Sequence, residues 1–186
     1  GAVTLSADDT LTGTTMTFDS TIGGGHALTV TGNGVFDGAV NIAGLSVSGT
    51  SNLDAGTVTT SGTQTYTGAV TLAADETLAG TTVTFGSTVS GAQALTVTGN
   101  GVFDGTVNTA SLNVSGTSDL NTGSVTTTGT QTYTGGATLT TATVLTGTTV
   151  TLGPVSGGEA LTVTGNGVFD GAVNIASRRG RGTSGL

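Results

Sequence analysis

The side chains that could do acid–base or metal chemistry are few in this chain. They are eleven acids, one histidine and three arginines, with no lysine and no cysteine. Two acid pairs stand out, Asp8 with Asp9 and Asp75 with Glu76. Paired carboxylates can serve as the acid and the base or nucleophile of glycoside hydrolysis. The third copy of that stretch, with Thr141 and Ala142, has no acid there, so solvated loop acids are the simpler reading. Asp37, Asp104 and Asp170 each follow Gly-Asn-Gly-Val-Phe and are weak calcium candidates. Calcium takes about six to eight oxygens, usually from several carboxylates. One Asp per copy is sparse for that, and a turn-forming role suffices. His26 is replaced by Gln93 and Glu159 in the other copies, which argues against a triad or a metal role. Gly32–Gly38 looks superficially like a phosphate loop. Its third glycine comes one residue late, no helix follows and no lysine is available, so it reads as a corner of the fold. The expectation is a chain that is not an enzyme and needs no cofactor.

The elements that carry these residues repeat. Ala-Leu-Thr-Val-Thr-Gly-Asn-Gly-Val-Phe-Asp-Gly occurs at 27–38, 94–105 and 160–171, so successive copies start 67 and then 66 positions apart. The copies run 1–67, 68–134 and 135–177, and a fixed long period predicts stacked β structure. Apolar and polar residues alternate, as in Ala2-Val3-Thr4-Leu5, and no segment has a helical apolar face. A finer rhythm places Tyr66, Phe85, Phe103 and Leu120 at spacings of 19, 18 and 17. That is the length of one coil of a solenoid. The predicted fold is all-β, a parallel β-helix (β-solenoid) built from about 67-residue repeats, each several coils. Leu, Val, Ile and Phe should point inward, Thr outward, with Gly and Asn at corners.

Net charge is −8, and no formal positive charge precedes Arg178. Nucleic acid and anionic membranes need Lys or Arg partners and are not expected. No apolar run is long enough to insert into a membrane. Gly1 aligns with Gly68 and Gly135, which suggests a piece of something longer. Arg178, Arg179 and Arg181 fall where the second copy has Leu112, Asn113 and Ser115. An arginine in a stacked core is costly. The regular coil is therefore expected to end near Ser177, leaving 178–186 irregular or frayed. Asn113-Val114-Ser115 is a glycosylation sequon that the alternation reads as inward. Thr-x-Thr pairs occur at Thr29–Thr31, Thr82–Thr84, Thr96–Thr98 and Thr130–Thr132. An ice-binding array would need them at one place on every coil. Their positions shift along the chain, so they read as ordinary outward strand residues.

Gly-Thr-Gln-Thr-Tyr-Thr-Gly (62–68 and 129–135), Ala-Val-Thr-Leu (69–72) and Leu-Thr-Val-Thr-Gly-Asn-Gly resemble the repeats of bacterial surface proteins. The families are the filamentous-haemagglutinin-like and autotransporter-type β-strand-repeat adhesins. The resemblance covers nearly all of 1–177. It implies a right-handed parallel β-helix, secretion to the cell surface or beyond, and a role in adhesion, biofilm or matrix. The expected function is a structural stalk that presents an unknown host or matrix ligand site lying elsewhere. The alternative is a self-assembling extracellular filament, its subunits joined head to tail through the solenoid ends. A carbohydrate-active β-helix enzyme is weaker, because the acids are scattered.

Overall fold

The computed structural model describes residues Gly1–Arg181, and no helix occurs among them. All strands belong to one ladder, and each pairing is parallel. Paired residues lie 17 to 20 positions apart, as in Val30 with Val47 and Thr57 with Thr77. The chain is a β-solenoid of about ten coils. One column displays them: Val3, Ile22, Val40, Val58, Leu78, Val97, Val114, Tyr133, Leu152 and Phe169, each paired with the next. With roughly 4.8 Å per coil, the described rod is roughly 45 Å long.

Each coil has three faces. Face 1 carries the column just given. Face 2 carries Val30, Val47, Tyr66, Phe85, Phe103, Leu120 and Leu139. Face 3 begins with Phe18, Phe36, Leu53 and Leu72. These side chains alternate with polar ones turned outward, so the three columns meet in a continuous apolar core. Burying a side chain of this size is worth about 1.5–3 kcal/mol. The 19-18-17 rhythm of Tyr66, Phe85, Phe103 and Leu120 is the coil itself, since these four are successive ladder partners. Tyr66 and Phe85 stack at 5.8 Å, and Phe85 and Phe103 at 5.3 Å.

Gly32-Asn33-Gly34 bends the chain without ending the strand. The strand Ala27–Phe36 is continuous. Its first half pairs with Gly44–Val47 on face 2 and its second with Ser51–Leu53 on face 3. Gly32 makes the corner at φ 132°, and a Cβ there would strike the carbonyl oxygen of Gly13. Gly34 is needed for a different reason. Phe36 lies two residues on, on the same side, and its ring would be 2.6 Å from a Cβ at Gly34.

The long sequence repeat is not the period of the structure, which is the coil. Phe36 sits on face 3, its copy Phe103 on face 2 and its copy Phe169 on face 1. One copy spans three coils and two faces of a fourth, so each copy starts one face out of step. A whole number of coils does not fit into one sequence copy.

The C-terminal tail departs from expectation. Ser177–Arg181 is a strand that pairs along Ala160–Thr164. Arg178 avoids the cost of a buried cation by staying exposed, its guanidinium 4.5 Å over the Phe169 ring. The expectation for residues 182–186 lies outside the described residues.

Candidate functional site

The exposed carboxylates with defined partners sit at the corners, where coils pass from one face to the next. Asp8 Oδ1 accepts the Ala27 N–H at 2.9 Å, and Asp75 Oδ1 accepts the Ala94 N–H at 2.8 Å. Each carboxylate thus braces the following coil. That bond, ahead of a contribution from His26, holds Asp8 below the usual carboxylate range. His26 Nδ1 lies 3.5 Å from Asp8 Oδ1, and Gln93 at the matching position donates to the Ala73 carbonyl at 3.2 Å. The two acid pairs are on different coils and different corners, and their individual acids do not face one another. Asp9 is exposed and accepts the N–H of Thr10. Its copy Glu76 points inward.

Asp37, Asp104 and Asp170 are not brought together. They follow Phe36, Phe103 and Phe169, so they lie at three different corners of the coil. The real neighbours of Asp37 are Asp19 and Asp54, because Phe18, Phe36 and Leu53 are ladder partners. Asp104 instead accepts from Asn121 Nδ2 at 2.7 Å, and Asn121 accepts from Thr140 at 2.6 Å. Among the described residues no group of three or more His, Asp or Glu is placed to hold a metal ion.

One reading of a surface residue changes. Asn113 is exposed, since Leu112 and Val114 take the inward positions on either side. The Thr-x-Thr pairs do not share one place, since Thr29 and Thr84 lie on face 2 while Thr96 and Thr132 flank Asn113 on face 1. Single residues do form an outward row on face 2: Thr10, Thr29, Ser46, Thr65 and Thr84. The row ends at Val102 and Asp119. Sequence spacing hid it because coil length varies from one turn to the next.

Sequence reasoning missed the buried polar clamps. Gln64 is fully buried and donates from Nε2 to the carbonyls of Val58 and Ala79, each at 2.9 Å. These carbonyls belong to successive coils. Tyr66 donates to Gln64 Oε1 at 3.0 Å, and burial pushes its phenol pKa upward. Gln131 and Tyr133 repeat the arrangement one face over, with Val125 and Thr146 as acceptors. The signal was present in Gly-Thr-Gln-Thr-Tyr, where Gln and Tyr share a strand face two residues apart.

These groups tie coil to coil. Asn33 and Asn100 do the same by accepting the N–H groups of Thr50 and Thr117, each at 3.0 Å. Comparison with protein-family models, curated proteins and solved structures finds no match to this chain.

Proposed function

We propose that the chain is a non-catalytic structural segment, a stretch of the stalk of a bacterial surface adhesin or matrix protein. The observation that carries this reading is the displacement of each copy by one face. Sequence-equivalent residues are scattered around the rod, so repetition extends it without multiplying any site on one surface. The polar side chains with defined partners join coil to coil, as a rod pulled along its length requires. The repeat phrases shared in type with adhesin repeats point the same way, with a right-handed coil and an extracellular or cell-surface location.

Electron microscopy and sedimentation of the purified chain test the reading. Separate rods about 45 Å long, unchanged with concentration, are expected, from the coil spacing. Fibres that lengthen with concentration would replace the stalk with the head-to-tail filament. Release of sugars from a polysaccharide panel would overturn the non-catalytic assignment.

A further inference from the structure

Among the described residues Glu76 is the one acid whose side chain is buried, at 2% exposure. Its Oε1 accepts the Gly56 N–H at 2.8 Å, while Oε2 is buried without a hydrogen-bond partner. An ionised oxygen in that position is costly. Burial pushes the carboxyl pKa up to about 7 from an ordinary 4.5, against the opposing pull of the Gly56 and Ala55 amides.

The surroundings offer no compensating charge. Asp54, on the coil below, repels the carboxylate, and the Tyr66 phenol is held neutral by its own burial and then by the Glu76 charge. Asp75 is turned to the Ala94 N–H, and the next coil presents Leu95 opposite Glu76. Thr143 of the third copy, in the same register, is buried with its hydroxyl within 2.9 Å of the Thr122 and Thr141 carbonyls. Asp9 takes the matching register opposite Leu28, on the first described coil, which has a neighbour on one side only.

We propose that Glu76 is a proton-operated latch between successive coils. Protonated, it holds the corner formed by Ala73, Ala74 and Asp75 against Gly56 of the coil below. Ionised, it leaves the core for water and frees that corner. Ala73 and Asp75 are already at the surface, so the swing needs no other element to move.

Amide hydrogen exchange on the whole chain, corrected for intrinsic rates, tests this between pH 5 and pH 8. The Thr77 N–H bonds the Gly56 carbonyl at 3.0 Å, and the Val144 N–H bonds the Gly123 carbonyl likewise. Protection at Gly56 and Thr77 should fall at least tenfold as pH rises, while Val144 stays constant. Glu76→Gln should abolish the fall. A flat wild-type profile, an equal fall at Val144, or an unchanged fall in Glu76→Gln would each overturn the proposal. If Glu76→Gln does not fold, the wild-type contrast between Thr77 and Val144 still decides.

Discussion

The Tyr66 hydroxyl donates to Gln64 Oε1 at 3.0 Å, and both side chains are fully buried. Through this bond the phenol fixes the amide whose Nε2 spans the Val58 and Ala79 carbonyls. Tyr66→Phe removes one bond and leaves Oε1 unpaired, so a loss of about 1–3 kcal/mol is expected. Gln64→Ala removes the amide bonds to the Val58 and Ala79 carbonyls, leaves the phenol unpaired and opens a cavity. It should cost more than Tyr66→Phe, about 3 kcal/mol or above. Urea unfolding of both variants checks the order; equal losses would mean the clamp is not held as described.

Phe85 lies between Tyr66 and Phe103, with ring centroids 5.8 and 5.3 Å away. Phe85→Ala should destabilise by about 3–5 kcal/mol. Its counterpart in the third copy is Leu152, which pairs with Tyr133 and Phe169. Phe85→Leu should therefore cost much less, below about 1.5 kcal/mol. Thermal melts of the two variants separate the cases.

Two glycines of similar appearance should respond oppositely to alanine. A Cβ at Gly34 meets the Phe36 ring at 2.6 Å, whereas at Gly44 the nearest atoms lie at 3.6 and 3.8 Å. Gly34→Ala should lower stability by about 1–3 kcal/mol through overpacking. Gly44→Ala should be neutral or raise it by up to about 1 kcal/mol, because the unfolded chain loses freedom. Denaturant midpoints at constant slope are the readout.

Stability should also depend on Glu76 ionisation. Its folded pKa of about 7 lies above the ordinary 4.5, so the folded state holds the proton more tightly. The stabilising contribution is then complete below pH 4.5 and lost as pH rises through 7. The melting temperature should fall between pH 5 and pH 8, and Glu76→Gln should flatten that fall. Asp8 acts in the other direction, since its lowered pKa means its contribution fades as pH drops through the acid range.

Arg178 lies over Phe169 at 4.5 Å and remains exposed. Arg178→Ala should cost about 0.5–1 kcal/mol, the value of an exposed cation–π contact. Arg178→Leu, which restores the residue type of Leu112, should be at least as stable as the native chain. A Leu variant weaker than the Ala variant would show that this strand is not seated in the register described.

The sequence alone determined the fold class, the inward and outward alternation and the coil length. The first two follow from side-chain period, and the third from the spacing of Tyr66, Phe85, Phe103 and Leu120. It also determined that Gly32-Asn33-Gly34 is a corner, although Gly32 alone takes the positive φ there. Which residues meet across coils was decided by the tertiary structure alone. Coil length varies, as Val30 with Val47 and Thr57 with Thr77 show, and the differences accumulate along the chain. Register therefore cannot be counted from the repeat. That is why the copies Asp37, Asp104 and Asp170 part to three corners, while the dissimilar positions Thr10, Thr29 and Ser46 fall into one row. Asp9 and Glu76 share one inward register, opposite Leu28 and Leu95; Asp9 lies on the first described coil, which has a neighbour on one side only, while Glu76 is covered by coils on both sides.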